Sequence, residues 1–461
     1  MNITSSGSPL PDTAPESTRL SWTERIGYGF GDVGSCLYFA IFMNFLAYFY
    51  TDIYGISAGA VGTMIFVVRT YDWIKDPIMG AICDRTKSRM GRYRPWLLWM
   101  IVPYVVFGIL TFTTFDLSPT GKLVYAYTTY ILLTLVYTMI NVPFSALMGV
   151  MTTNPEERTI LSSLRLIGSS VAALVVYGSI FPLMAFFGGG NNQKGFTLTV
   201  AVYALLAAGS FLFTFLATKE RIQPLVVKDN SLKRDLRLLW KNVPWLILIA
   251  VSLLTIISMG LRAGTTVYYF KYLAGNEKLA AGFFVVGSLI SIASVSFTKH
   301  LAQFCGGKKR AYIALMSAMS VLSFVFFFIP PENYTLIITY QVVMTIVCSP
   351  LIALFFAMIA DSAGYGMWKF NQTSTGLVFS AGTFSQKIGW SIGPAAALWI
   401  LGFLGFAPNQ AQSPQVLLWI KLLMSVVPGV VGILAVGVLY FYKIDGRMEK
   451  EIEQGLRDMG R

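Results

Sequence analysis

Asp72 and Asp76 sit four residues apart in a stretch, 57–82, that otherwise reads as a membrane-spanning helix. An ionised carboxylate at bilayer depth costs about 2.5–3.5 kcal/mol on insertion scales, so a pair on successive turns implies a purpose. Arg69 and Lys75 share the segment. At about 100° per residue, Asp76 falls about 40° from Asp72, with Arg69 about 60° to one side and Lys75 about 60° to the other. The charges therefore crowd one arc, which must face protein or water rather than lipid. Carboxylates so placed can ligate a cation, or carry a proton when desolvation raises their pKa; nearby Arg69 or Lys75 opposes that rise. The pattern points to a cation pathway.

Other polar groups fall inside apolar segments. Asp32, Arg165, Arg262, Lys387 and Lys421 do so, and Gln386 adjoins Lys387. Asn141 precedes Pro143 by two residues, and a proline kink frees backbone carbonyls beside a buried amide. Tyr137 and Phe144 lie one turn to either side of Asn141 and are candidate cavity lining. The spans carry more basic groups (Arg69, Lys75, Arg165, Arg262, Lys387, Lys421) than acidic ones (Asp32, Asp72, Asp76). A cavity left positive would welcome an anionic substrate through bidentate arginine pairing.

The elements that must position these groups are helices. The chain is 461 residues long, 55% hydrophobic and 12% charged, with a mean hydropathy of +0.63. Soluble proteins average about 25% charged residues. Apolar runs near the ~20-residue crossing length recur at roughly 27–50, 57–82, 96–115, 122–150, 161–187, 196–217, 244–270, 279–298, 311–329, 335–360, 373–403 and 416–442. The expected fold is an all-α polytopic membrane protein of twelve spans in two six-helix bundles (27–217 and 244–442). A central loop (218–243), with Pro224 and a possible short surface helix, divides them. A tail precedes the first bundle (1–26) and another follows the second (443–461).

The net charge of +13 does not imply nucleic acid, because the basic residues gather in alternate loops. One side holds the Arg85–Arg94 cluster, Arg158, the central loop, Lys308–Arg310, Lys369 and the C-terminal tail. The other holds only Lys122, Lys194, Lys271 and Lys278. Such asymmetry places both termini in the cytoplasm. Residues 1–21 lack an apolar core and read as a flexible cytoplasmic tail rather than a cleavable signal. Cys36, Cys83, Cys305 and Cys348 are scattered and His300 is the sole histidine, which excludes a zinc site or a histidine-based triad. No phosphate loop or His/Glu cluster supports a membrane-embedded transferase.

The loop Gly80-Ala-Ile-Cys-Asp84-Arg85-Thr-Lys87-Ser-Arg89-Met-Gly91-Arg92-Tyr93-Arg94-Pro95 has the physics of a conformational latch. Asp84, Arg85, Arg89, Arg92 and Arg94 can pair with neighbouring helices when the cytoplasmic side is closed, and Gly91 allows a tight reversal.

This loop resembles the one between helices 2 and 3 of the major facilitator superfamily. Together with Arg69-Thr-Tyr-Asp72-Trp-Ile-Lys75-Asp76-Pro77, Tyr28-Gly-Phe-Gly-Asp32, Tyr50-Thr-Asp52, Tyr137-Thr-Met-Ile-Asn141-Val-Pro143-Phe144, Ala360-Asp361 and Phe384-Ser-Gln-Lys387, it resembles the glycoside–pentoside–hexuronide:cation symporters. The resemblance runs from about residue 25 to 445. It implies a cation site at Asp72 and Asp76 with Asn141 and Lys387 beside it. It implies a substrate site with Arg165, Asn141 and Lys387, joined by Tyr137, Phe144 and Gln386 from the residue reading. The family's helix 1 sugar-binding aspartate aligns with Cys36, and Asp32, one turn earlier, is the candidate substitute. Asp361 joins the cytoplasmic gate.

Departures from the family pattern shape the expectation. Asn141 stands where the family's best-known member has an aspartate, and Lys75 adds a tethered positive charge. Both weaken a cage for bare Na⁺, so H⁺ is favoured as the coupling cation. No cofactor is expected. The expected partners are a sugar or glycoside, anionic forms such as hexuronides or sulfonated sugars included, and the lipid bilayer of a bacterial inner membrane. The expected state is a monomer. The competing reading is an exporter or exchanger of small organic anions driven by membrane potential.

Overall fold

The structure is a computed structural model that describes residues 19–152, 154–221, 239–370 and 375–458. Among them the only regular secondary structure is helical. In the first half, α1 runs Trp22–Asn44, capped by Ser21 and Glu24 in a reciprocal capping box, and continues through Leu46–Tyr48 into a π-helical turn, Phe49–Ile53. Then come α2 (Ala58–Arg85), α3 (Arg94–Trp99 and Ile101–Thr111, broken at Met100), α4 (Pro119–Met151), α5 (Pro155–Gly188) and α6 (Asn192–Ala217). In the second half, α7 (Val243–Tyr272) and α8 (Leu279–Ser296, continued by Thr298–Phe304) are followed by α9 (Lys308–Phe326) and α10 (Tyr334–Phe370). After these, α11 (Thr375–Phe403) and α12 (Pro414–Met424 and Val426–Tyr440, broken at Ser425) complete the spans, and α13 is Gly446–Asp458.

Nine of these segments are long and apolar enough to cross a membrane by length and composition. The remaining spans fall short for local reasons. Helix α2 carries Arg69, Asp72, Lys75 and Asp76, α3 is interrupted at Met100, and α11 is rich in Gly, Ser and Thr. Several boundaries differ from the sequence reading. Helix α10 extends ten residues beyond the expected end at 360, because the polar segment after Asp361 packs against the C-terminal helix. The expected tail 443–461 contains α13, whose Ile452 is buried against Gly364. The surface helix suggested for the central loop falls largely on 222–238, outside the described residues, as do residues 1–18 of the expected flexible tail.

Each half packs on itself: α1 against α5 and α6, α7 against α11 and α12, and α8 and α9 against α10. The halves meet chiefly where α2 touches α11, α5 touches α8 and α1 touches α7. The α2–α11 crossing is tight. A Cβ on Gly402 would come within 2.6 Å of the Gly59 backbone, so glycine is what lets the helices approach. Outward faces carry exposed Val102, Phe186, Leu205, Phe304 and Phe403, a belt suited to lipid.

Candidate cation and substrate site

The expected acidic pair is present, but neither carboxylate stands alone. Asp72 pairs with Lys75 of its own helix at 2.6 Å, too bent for a good hydrogen bond yet a close ion pair. Lys75 is 4% exposed, so its charge has Asp72 as its sole described carboxylate partner in a dry place. Asp76 accepts from Thr138 Oγ1 of α4 at 2.9 Å and pairs with Lys387 of α11, across the two halves. Here the environment is wetter: the side chains of Asp76 and Lys387 are 23% and 52% exposed. Arg69 lies over the Phe42 ring at 5.7 Å.

Beside this couple, Arg165 of α5 clasps Asp32 of α1 in two hydrogen bonds, 2.6 Å from Nε and 3.2 Å from Nη2. Its guanidinium rests over the Phe144 ring at 4.8 Å, and Tyr28 beneath donates to the Phe144 carbonyl at 3.3 Å. The expectation that Phe144 lines the cavity is therefore corrected. Phe144 is fully buried, held against Tyr28 and Arg165, and acts as the floor of the arginine. Asn141 turns its carbonyl to Ser35 of α1 (2.6 Å) and its amide to the Tyr137 carbonyl (3.0 Å). It ties α4 to α1 and is not brought onto either carboxylate by any described hydrogen bond. Tyr137 packs edge-on against Phe42, its ring centre 6.1 Å away. Gln386 turns away from Lys387 into a hollow of about 10 Å³ inside the second half, beside Ser252, Thr255, Tyr312 and Phe355. That space holds at most a water.

The expected gate residues sit differently from the expectation. Tyr93 donates to Asp84 at 2.8 Å. The backbone N–H groups of Arg92, Tyr93 and Arg94, at the start of α3, all donate to the Glu220 carboxylate at 2.7–2.8 Å. Gly91 permits this with φ +108°, and a Cβ there would lie 2.5 Å from that carboxylate. Arg94 donates to the Phe215 carbonyl. Asp361 pairs with Lys308 of its own half, and Glu449 of α13 stands 3.5 Å from the same lysine. No described hydrogen bond engages the side chains of Arg85 or Arg89. Arg25 pairs with Glu157, and Arg221 with Glu24. At the end where α1 begins and α12 finishes, every described ion pair stays within one half.

The opposite end carries residues that the sequence reading passed over. Asp52, in the π-helical turn of α1, is gripped by Lys271 (2.5 Å) and Tyr272 of α7, and Asn409 donates to its backbone carbonyl at 2.6 Å. Its carboxylate also accepts from Thr51 (2.6 Å), whose hydroxyl meets that of Tyr268 at 2.8 Å. The Asp52 side chain has no exposed area. Trp399 donates to Thr63 nearby at 3.0 Å, again across the halves. The signal was the acid in Tyr50-Thr-Asp52, read as a motif but not as half of an ion pair. An open hollow of about 600 Å³ at this end is lined by Asp52, Ile53 and 189–193, far from the Asp76 site.

A multi-helix bundle with paired charges between two halves is the architecture of a membrane carrier. A family model described as "MFS/sugar transport protein" matches residues 27–446, and the chain belongs to that family of transporters; it is not an enzyme. It is 37% identical over 435 residues to the "Putative glycoside/cation symporter YagG" of Escherichia coli K12, covering 94% of each chain. It is 33% identical over 455 residues to the "Isoprimeverose transporter" of Lactiplantibacillus pentosus, covering 96% of this chain and 95% of that one. Among solved structures, a D-xylose-proton symporter superposes with a TM-score of 0.63 at 14% identity, covering 92% of this chain and 97% of that one. An inward-facing bacterial homologue of the lysosomal transporter Spinster gives 0.66 at 9% identity, covering 93% and 97%. These two likenesses speak for the fold alone.

Proposed function

We propose that this protein is a secondary symporter that carries a sugar or glycoside across a bacterial inner membrane, coupled to a proton. The observation that carries the reading is the Asp76–Lys387 pair, which spans the two halves in a partly water-reachable place. A proton on Asp76 cancels its charge and frees Lys387, which is exposed enough to remain solvated. That releases α11 from α2. Asp72 cannot play the same part, because neutralising it strands Lys75 in a dry site at several kcal/mol. Asp72 and Lys75 thus act as a resident pair, and Asp76 as the exchangeable carrier.

Sodium fits the same surroundings less well. Na⁺ needs several oxygen ligands, yet the Asn141 carbonyl is already taken by Ser35 and Lys75 stands beside Asp72. The substrate reading rests on Arg165 and Asp32, whose hydrogen-bonding groups could turn to sugar hydroxyls, and on the sugar substrates in the relatives' names. Positive-inside charge assigns the termini to the cytoplasm, so the stitched end at Asp52 faces outward.

The test is uptake into proteoliposomes under an imposed proton or sodium gradient. A pH gradient should drive accumulation of a glycoside, and Asp76→Asn should retain exchange while losing accumulation. Concentrative uptake by Asp76→Asn at the wild-type level would refute the role. The second reading, exchange of small organic anions, is favoured by Arg69, Arg262 and Lys421, which enter none of the described ion pairs. Anion counterflow indifferent to any proton gradient would select it.

A further inference from the structure

Between Glu277 and Glu332 the chain has no acidic residue, and Lys299, Lys308, Lys309 and Arg310 gather where α8 turns into α9. Helix length fixes the depth of that turn. Leu279–Ser296 and α9, of 18 and 19 residues, each extend about 27–28 Å, close to the ~30 Å thickness of the hydrocarbon core. The stretch 297–310 between them therefore lies at the headgroup boundary. Gly306 and Gly307 return the chain there with φ +73° and +132°, and the short helix Thr298–Phe304 packs back against α9.

Leu301, Ala302 and Cys305 rest on the protein core, and the opposite arc of the short helix is exposed. At about 100° per residue, Phe297 and Phe304 fall about 20° apart on one flank of that arc, followed by His300, Gln303 and Lys299. Phe304 is 90% exposed. Rings on one flank and polar groups on the other suit a helix lying where acyl chains give way to headgroups. A second element extends the patch. Lys309 donates to the Tyr440 and Tyr442 carbonyls, which sets the end of α12 beside the start of α9. Tyr440, 76% exposed, and Phe441 face outward there, and the exposed Lys443 follows them.

The described acids at this end are already engaged. Asp361 and Glu449 share Lys308, and Asp445 accepts the backbone N–H groups of Arg447 and Met448. Lys299, Arg310 and Lys443 are exposed and enter none of the described ion pairs. Outward rings beside such cations, at the edge of the hydrocarbon, are complementary to a molecule with acyl tails and a negative head.

We propose that the α8–α9 turn and the end of α12 form a seat for an anionic phospholipid. The cations attract the headgroup, and Phe297, Phe304, Tyr440 and Phe441 lie against the acyl chains. On the orientation given above, the lipid belongs to the inner leaflet. The seat lies in the second half alone and depends on neither the coupling cation nor the sugar.

The test is thermal unfolding of the purified full-length protein in dodecylmaltoside micelles. The titrants are dioleoylphosphatidylglycerol, dioleoylphosphatidylcholine and glycerol 3-phosphate. A seated lipid raises Tm saturably, and phosphatidylglycerol alone should do so. Lys299→Gln combined with Arg310→Gln should weaken its binding tenfold or more, at about fivefold per surface charge. Phe304→Ser should weaken it several-fold with every charge kept. Arg85→Gln combined with Arg89→Gln removes the same charge from the first half at the same end, and should leave the affinity unchanged. If the Lys299/Arg310 variant fails to fold, Phe304→Ser carries the comparison. The proposal is overturned by no saturable rise with phosphatidylglycerol, or by an equal rise with phosphatidylcholine or glycerol 3-phosphate. Wild-type affinity in the folded seat variants overturns it too, as does an equal loss in the Arg85/Arg89 control, the mark of diffuse attraction to a basic surface.

Discussion

The two ends of the molecule use similar residues to opposite effect. At the end where α1 passes into α2, Asp52, Lys271, Tyr272 and Asn409 join the first half to the second around an acid whose side chain is sealed from water. At the end where α1 begins and α12 finishes, Arg25–Glu157, Arg221–Glu24 and Lys308–Asp361 each tie a half to itself. An ion pair restrains motion between the halves only when its partners belong to different halves. The contrast shows that charge content does not locate a gate; connectivity does.

The largest effect should come from breaking the Asp52 end. Asp52→Asn leaves Lys271 facing a neutral amide in a buried cluster, a loss of about 3–5 kcal/mol for a broken buried pair. A cysteine placed at Ala58, buried at the start of α2, should then react much faster with an impermeant thiol reagent, and an unchanged rate would show that the stitch holds nothing closed. Next, Gly91→Ala forces a side chain into a positive-φ position and against Glu220. A cost of about 1–3 kcal/mol should appear as a lower Tm and faster proteolysis of the 86–93 loop, with the reactivity of the cysteine at Ala58 unaltered. Glu220→Gln keeps the shape but loses the charge that three backbone donors share. About 1–2 kcal/mol is expected, with the same readouts in weaker form. Arg457→Gln removes an exposed i,i+4 pair with Glu453 and should move Tm by less than the equivalent of about 0.5 kcal/mol. A larger shift there would mean that α13 is held more tightly than its exposure suggests.

How far the sequence could be read follows from the range of each interaction. The spans were legible because hydropathy is a local property. The crowding of Asp72, Lys75 and Asp76 was legible because helical geometry places them by arithmetic. The Asp32–Arg165 contact was within reach, since an interior arginine needs a carboxylate and few were on offer. Pairs such as Asp52–Lys271, 219 residues apart, were not. Lys271 looked like an ordinary loop charge because nothing local marks its partner. The Gly80–Pro95 loop was read for side-chain charges that pair with neighbouring helices when the cytoplasmic side is closed, and in this structure its backbone N–H groups hold a carboxylate instead. Its neighbour is Glu220, on the chain just beyond α6, and a distant α-helix was the more obvious candidate. Phe144 was misplaced for a simpler reason: periodicity gives the angle of a side chain, not what stands in front of it.

The π-helical turn at Phe49–Ile53 has a consequence for the Asp52 end. A wide turn accommodates one residue more than an ordinary helix would over the same rise, which shifts the phase of everything beyond it. A deletion inside the turn is absorbed by rewinding it as ordinary helix, whereas deleting a single residue upstream of it, within α1, swings Asp52 by about 100°. The carboxylate would then point away from Lys271 with every side chain of the cluster still encoded. In this segment chain length, as much as composition, decides whether the halves are fastened.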